Sequence, residues 1–506
     1  MINKIKSLNI LVTELNQLSK SKIIIHCHGV FDLLHIGHIK YFQEAKNMGD
    51  ILVVTITPDR FVNKGPGRPA FNEKHRAEAI AALGVVDYVA INEWPTAIET
   101  INLLKPDLYV KGPDYKDFSN DITGNIQLEM DAVKSLGSDI RYTSDITFSS
   151  SSLLNKFGNV YNESQETFIK NVLNSPNFDE IKTMMDKLKN LNVLVVGETI
   201  IDQYIFCEGL GKSGKEPVLV LRELQMDKQA GGAAAIARHL SDFCGNISLL
   251  SMLGEKMEHK DFVLESLPGN IKPYFIYKEN APTITKKRYI DYISNSKNLG
   301  VYSINDSQMN GENQNQLNSY LNELIPHHDL VIVSDYGHGF ISGKTAKNIS
   351  KHSIFTALNA QINAANIGYH TMNNYRGIDC AIINETELRH ELRDRESSVE
   401  KLMKKLSKKL QAKMLVVTRG NSGAKLFESG ENTFHQCPAF AAKVVDKIGA
   451  GDAMLALISC SLKRGFDADL SLFIGSLAAA QSVETIGNST PVSKVQLLRT
   501  TSHAIK

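Results

Sequence analysis

Gly29-Val30-Phe31-Asp32-Leu33-Leu34-His35-Ile36-Gly37-His38, directly after the apolar run Ile23-Ile24-Ile25, decides how this 506-residue chain is read. The apolar run reads as a buried strand, and the Gly and Asp behind it as a turn that opens a helix. The spacing predicts His35 and His38 in the first turns of that helix, three residues apart and on one face. A helix N-terminus offers unpaired amides and the positive end of the macrodipole. Two imidazoles there describe a site for a triphosphate. Gly37, between them, lets a ligand approach the backbone closely. Two histidines packed for structure alone are the competing reading, and the strand in front of the motif argues against it.

Working outward, the apolar fraction of 42% is ordinary for a globular protein, and 506 residues suffice for two or three domains. Fifty-six basic residues against 55 acidic ones leave a net charge of +1, with no basic block. Nucleic acid is therefore not an expected partner. The six cysteines are scattered without a Cys-x-x-Cys pair, which fits reduced thiols in the cytoplasm and neither a disulfide framework nor a zinc site. Met1 to Lys22 lacks a secretory apolar core, and no run of 18 apolar residues occurs, so no membrane insertion is expected.

Strand-like runs alternate with helical periods along the whole chain, which argues an α/β fold. The first part predicts strands at Lys22–Ile25, Ile51–Ile56, Val86–Ile91, Leu108–Val110 and Ile140–Tyr142. Residues 158–189 read as a polar linker followed by a charged helix from Asp179 to Asn190. A second strand set starts at Asn192–Gly197 and recurs at Leu330–Ser334, Ala381–Ile383 and Met414–Thr418. Three segments follow: a domain over 1–157, the linker and helix over 158–189, and a second domain over 190–506. No internal repeat is visible.

The Gly-x-Phe-Asp-x-x-His-x-Gly-His motif resembles the cytidylyltransferase-type nucleotidyltransferases, and the likeness runs over residues 22–157. Lys64-Gly65-Pro66-Gly67-Arg68-Pro69, Glu73-Lys74-His75-Arg76, Val110-Lys111-Gly112-Pro113-Asp114-Tyr115 and Thr147 to Ser152 stand in that family's order. Within it, the adenylyltransferase half of the bifunctional enzymes of ADP-heptose synthesis is most similar. The resemblance implies a Rossmann-like fold and attack of a sugar-phosphate oxygen on the α-phosphorus of ATP or CTP, with Mg²⁺ present. His35 and His38 would be catalytic, donating to the phosphoryl oxygens, as cations if the phosphates raise their pKa. Val30, Phe31, Lys64, Lys111, Ser150 and Ser151 would line the nucleotide. Lys64 either closes over the phosphates or is a solvated loop tip. Lys111 ends a strand where ligands of open α/β sheets bind. Ser149 to Ser152 hold phosphate or simply cap a helix. Arg76 matches an incoming phosphate bidentately, or pairs with Glu73 on a helix surface.

Lys443-Val444-Val445-Asp446-Lys447-Ile448-Gly449-Ala450-Gly451-Asp452 forms a second centre. The turn at Gly449, Ala450 and Gly451 opens an apolar helix, so its amides can cradle a transferring phosphoryl group, and Asp452 can accept the substrate's hydroxyl proton. A plain capped helix with Asp in its first turn is the alternative. The segment resembles the signature of the ribokinase-like (PfkB) sugar kinases, whose other elements occur in order over residues 190–500. The resemblance implies Asp202, Gly231, Gly232 and Asp335 as substrate-binding residues. It implies Asn384, Glu387, Thr418 and Gly420 around the nucleotide, with Glu387 also organising Mg²⁺, and ATP as phosphoryl donor.

The two resemblances together imply a Rossmann-like nucleotidyltransferase domain followed by a ribokinase-like α/β domain. Such a pair makes a nucleotide-activated sugar, for surface polysaccharide precursors, from a sugar phosphate and nucleoside triphosphates. A homo-oligomer is expected. The heptose enzyme carries its kinase first; here the order is reversed. Further departures lie on the sugar side. Ala235 stands where the family has Asn, His338 where the heptose kinases have Lys, Leu358-Asn359-Ala360-Gln361 where they have Asp-Pro-Lys, and Ile448 where Thr is usual. A different sugar phosphate or a weakened kinase follows. The alternatives are a nucleotidyltransferase with a sugar-phosphate-binding second half, and a non-sugar acceptor such as a glycerol phosphate.

Overall fold

Strand β1 (Ile24–Gly29) is the centre of a five-stranded parallel sheet that also holds β2 (Ile51–Ile56), β3 (Tyr88–Ile91), β4 (Leu108–Lys111) and β5 (Asp139–Tyr142), in the order β3-β2-β1-β4-β5. Both faces of a parallel sheet are covered, so its strands need apolar residues on both sides. Ile25 and Cys27 pack with Leu52, Val54, Val110 and Phe42 on one face. On the other face β1 carries two histidines, which is why it runs past the expected Ile25. The Thr55 hydroxyl lies 2.7 Å from His26 Nε2 and 2.8 Å from His28 Nδ1, so both rings can be buried. Burial pushes His28 down to about 3 and lowers His26 as well, so both are neutral framework groups.

The computed structural model describes residues 4–18, 22–62, 68–113, 125–144, 161–173, 176–363 and 366–505. The chain divides into two units, Met1–Glu163 with Leu498–Lys506, and Ser164–Leu497. These units differ from the expected bounds of 1–157, 158–189 and 190–506. Most of the expected linker is helical and belongs to the second unit. In helix Glu163–Leu173 the Phe168 ring packs at 6.3 Å from Phe440 and 6.2 Å from Phe473. Helix Phe178–Lys187 starts on a reciprocal Asn177/Glu180 cap and buries Ile181 and Met185. The last residues, in turn, group with the first unit rather than the second.

The second unit is built on β6 (Asn192–Gly197), β7 (Thr199–Lys212), β8 (Leu219–Gly232), β9 (Asn246–Gly254), β10 (Ile271–Lys278), β11 (Thr285–Asp291), β12 (Lys297–Ser303), β13 (Leu330–Asp335), β14 (Phe355–Ala360), β15 (Cys380–Asn384), β16 (Met414–Thr418), β17 (Ala424–Glu428) and β18 (Thr433–Cys437). Nine of them form one sheet, β10-β9-β6-β13-β14-β15-β16-β17-β18, parallel as far as β16. The chain builds outward from β6 in one direction, then returns to β13 and builds in the other. The switch point, where open α/β sheets bind ligands, therefore lies between β6 and β13. A second sheet, β12-β11-β7-β8, was not expected from the sequence. All six cysteines are buried and free. Among the described residues no helix is long and apolar enough to cross a membrane.

Candidate active sites

In the first unit the loop after β1 folds back on itself. Phe31 sits in the left-handed region at φ 48°, and its ring covers Gly29 so closely that a Cβ there would meet Cζ at 2.9 Å. His35 is the N-cap of helix Ile36–Lys46 rather than a residue of its first turn, and its Nδ1 accepts from the Gly37 amide at 3.1 Å. That bond requires a lone pair on Nδ1, so the ring carries its proton on Nε2. The imidazoles of His35 and His38 stack at 4.0 Å, 22° from parallel, and His38 stands edge-on to Phe31 at 5.4 Å. The structure thus brings the two histidines onto one face at a helix N-terminus. An imidazolium at position 35 would give up the cap, so the charge state of this ring and the shape of the loop are linked.

Arg76 departs from its expected role as substrate-phosphate anchor. Its side chain is buried, and the guanidinium donates to the carbonyls of Phe71, Val30 and Thr57 and to the Asp59 carboxylate at 2.6 Å. It pairs with Asp59, not with Glu73. The side chain ties the Val30–Phe31 turn to the end of β2, which makes it a framework group. Lys111 does reach the sheet's carboxyl edge, beside β1. Its ammonium, however, is 2.8 Å from Glu129, which also accepts from the Tyr109 hydroxyl at 2.9 Å. Glu129, eighteen residues downstream on helix Asn125–Ser135, carried no motif that could have announced it. Lys64, Ser150 and Ser151 lie outside the described residues.

In the second unit, Gly449 caps helix Ala450–Lys463 at φ 94°, and a Cβ there would lie 2.1 Å from Asn488 Oδ1. Only glycine meets both demands. Asp452 follows in the first turn. Its Oδ1 accepts from the Tyr336 hydroxyl at 2.8 Å, and Oδ2 accepts from Asn488 at 3.4 Å. Burial pushes this carboxyl up to about 6, while the two hydrogen bonds hold it down. A carboxylate titrating there is matched to taking up a proton near neutrality. Asp446 fixes the loop ahead of the helix by accepting from Lys297 at 2.5 Å, from the Ile448 amide at 3.2 Å and from the Gly487 amide at 3.1 Å.

Asp202, on β7, pairs with Arg288 of β11 at 2.5 Å. Its Oδ2 occupies the space a Cβ at Gly231 would need, 2.2 Å away, which explains that glycine sterically. Gly232 precedes helix Ala233–Leu240, where Ala235 is buried in close packing. Asp335, expected to contact the substrate, is tied to the turn that follows it. It is buried, accepts from the Tyr375 hydroxyl at 2.8 Å and the Gly337 amide at 3.1 Å, and lies 3.6 Å from His370. Glu198, unforeseen in the sequence, is the buried partner of the same turn and accepts from the amides of Tyr336 at 2.9 Å and His338 at 3.0 Å. Burial raises the pKa of both carboxyls.

Asn384 and Glu387 form a reciprocal cap. The Glu387 amide donates to Asn384 Oδ1 at 2.8 Å, and the Asn384 amide to Glu387 Oε2 at 3.1 Å. Burial pushes Glu387 up to about 7. Thr418 ends β16, and Gly420 follows at φ 55° beside Arg419, which pairs with Glu385 at 2.9 Å. Among the described residues no three His, Cys, Asp or Glu side chains are arranged to hold a metal ion. Magnesium usually takes one or two carboxylates and completes its shell with phosphates and water, so Glu387 alone fits that pattern.

Fold and sites define two α/β units, one of the nucleotide-binding type with a histidine pair at its switch point, the other with a carboxylate at a glycine-rich helix N-terminus. Residues 190–495 match the pfkB family carbohydrate kinases, over half of the chain, and the protein belongs to that family. Residues 26–157 match the cytidylyltransferase-like family. Bifunctional protein HldE of Campylobacter jejuni subsp. doylei is 45% identical over 130 residues, 25% of this chain and 28% of that protein. Its counterpart in Syntrophotalea carbinolica is 40% identical over 118 residues, 22% and 24% of the two chains. The chain thus spans about a quarter of the length of these relatives. Phosphofructokinase-2 from Escherichia coli in complex with potassium superposes with a TM-score of 0.51 at 14% identity, covering 62% of this chain and all of that one. At that identity the likeness is one of fold.

Proposed function

We propose that the protein is a bifunctional enzyme that makes a nucleotide-activated sugar. The observation that carries this reading is the pairing of Asp452, poised near neutrality, with the Gly449–Gly451 helix N-terminus in a chain that also holds the stacked His35/His38 pair. In the second unit Asp452 takes the proton of the acceptor hydroxyl as that oxygen attacks the γ-phosphorus of ATP and the bond to the β–γ bridging oxygen breaks, releasing ADP. The amides of Gly449, Ala450 and Gly451 meet the charge that develops on the transferring group. Tyr336 and Asn488 keep Asp452 ionised, and Asp202 with Gly231 and Gly232 receives the sugar. Bound Mg²⁺, met by Glu387, would neutralise phosphate charge in the nucleotide.

In the first unit His38, and His35 through its Nε2–H, donate to the α-phosphoryl oxygens of ATP or CTP as pyrophosphate leaves. Lys111 adds positive charge at the same edge, softened by Glu129. Lys64, Ser150 and Ser151 complete this site in the proposal, as does a sugar phosphate as acceptor. The product would serve surface polysaccharide synthesis, in the cytoplasm where triphosphates are made. Leu219, Ile293 and Leu299 stand exposed on the strands and turn of the four-stranded sheet, and a second copy of the chain is proposed to cover them. Incubation with a panel of sugars, sugar phosphates and all four triphosphates, read by product mass, tests the whole. A product carrying both a new phosphate and a nucleotide supports it; nucleotide transfer without any phosphorylation reduces the second unit to a binding domain.

A further inference from the structure

His338, a departure from the heptose kinases, sits in a buried polar setting. It follows Tyr336 by two residues in the turn pinned by Glu198, and Tyr336 in turn donates to Asp452. Its ring is fully buried, and Nδ1 lies 2.6 Å from Asp306 Oδ1. Lys278 holds the two partners in place by donating to the His338 carbonyl at 2.9 Å and to the Asn305 carbonyl at 2.5 Å, next to Asp306. With its proton on Nδ1 toward the carboxylate, the ring presents Nε2 as an acceptor, and Nε2 is buried without a partner. Burial also disfavours the imidazolium, despite Asp306.

A cationic side chain lies near enough for its charge to act on the His338 ring. Lys286, on β11, is buried and makes no ion pair among the described residues. It faces the rings of Tyr302 and Tyr336 at 5.6 and 5.9 Å, and the charges of Asp202, Glu198 and Asp306 act on it. Native proteins pair their buried polar groups, so a buried acceptor left open, with an ammonium that makes no ion pair beside it and next to the residue that touches the base, calls for a ligand. Lysine at position 338 would only donate and would suit an anion. A neutral histidine asks for a donor, and a sugar hydroxyl is one.

We propose that His338, oriented by Asp306, is a specificity-determining residue of the kinase site: its Nε2 accepts a hydrogen bond from a sugar hydroxyl, and Lys286 donates to a neighbouring oxygen of the same substrate. The reading rests on the kinase assignment of the second unit. It makes the group recognised at this point a hydroxyl, wherever else the substrate carries phosphate.

The full-length protein is assayed for sugar-dependent ADP release on pentoses, hexoses, heptoses and their monophosphates, and the best substrate is compared with its monodeoxy analogues. One deoxy position should cost the parent at least about a hundredfold in kcat/KM. His338→Asn keeps an amide N–H for Asp306 but has no atom at the Nε2 position. It should lose a similar factor on the full substrate and no longer distinguish that analogue. His338→Gln returns an amide oxygen near Nε2 and should regain part of the discrimination. Should the Asn variant melt far below the parent, His338→Leu, which fills the ring's space without a polar atom, carries the same comparison. An Asn or Leu variant that discriminates all analogues as the parent does overturns the inference and leaves the kinase standing. A parent that neither phosphorylates nor binds any member, by calorimetry, overturns the kinase reading and this one with it.

Discussion

Removing the Tyr336 hydroxyl tests whether Asp452 is a base tuned by its surroundings. The hydroxyl donates to Asp452 Oδ1 at 2.8 Å, a bond that favours the carboxylate over the carboxylic acid. Asp452 titrates at about 6 with the bond in place. A hydrogen bond to a charged group is worth roughly 1.5–3 kcal/mol, which at about 1.4 kcal/mol per pKa unit raises Asp452 to roughly 7–8 in Tyr336→Phe. The base must be ionised to act, so kinase activity rises with pH through this pKa, and its acid limb should move upward by about one to two pH units. At pH 7 the loss is about twofold to tenfold, and it should vanish near pH 9. The assay is ADP release with the preferred sugar from pH 5 to 9, parent against variant, at saturating ATP. Recovery at high pH separates a shifted base from a damaged site. An acid limb that stays in place, or moves to lower pH, refutes the assignment of Asp452 as the base or of Tyr336 as its tuner.

Three further outcomes are expected. Asp452→Asn, nearly isosteric, should abolish phosphorylation while nucleotidyl transfer to a supplied sugar 1-phosphate continues; parental ADP release by this variant would remove Asp452 from the chemistry. His38→Ala should slow nucleotidyl transfer at least about a hundredfold, the scale of one lost transition-state donor, with kinase turnover unchanged. Arg76→Ala leaves the carbonyls of Phe71, Val30 and Thr57 without their donor and should destabilise the first unit by about 1–3 kcal/mol in denaturant unfolding, and Arg76→Lys should not rescue it because its point charge cannot span four acceptors. A variant that melts with the parent but needs more phosphorylated acceptor would return Arg76 to the role of phosphate anchor.

Local pattern carried the α/β class, the two-domain order and both motif-bearing helix starts, because each depends on residues adjacent in the chain. An apolar run, a glycine that must turn and a polar group one helical turn later are readable in sequence. So are the positions of Gly449 at the helix cap and Asp452 in its first turn, which follow from their own backbone. The four-stranded sheet was not legible. The outer part of β7 and all of β12 are exposed, so no burial pattern marks them; pairing of β7 with β8 and of β12 with β11 makes them strands. The same holds for site residues whose meaning is a partner's position. The partners of Arg76, Val30, Thr57 and Asp59, and those of Asp335, Tyr375 and His370, come together only in the fold. Tyr336, Asn488, Glu129 and Glu198 acquire a function only when the fold brings them to Asp452, to Lys111 or to the turn after β13. A charged side chain's role is set by which opposite charges and donors share its low-dielectric surroundings, and those come from distant strands and helices, as Lys297 lies 149 residues from Asp446 along the chain.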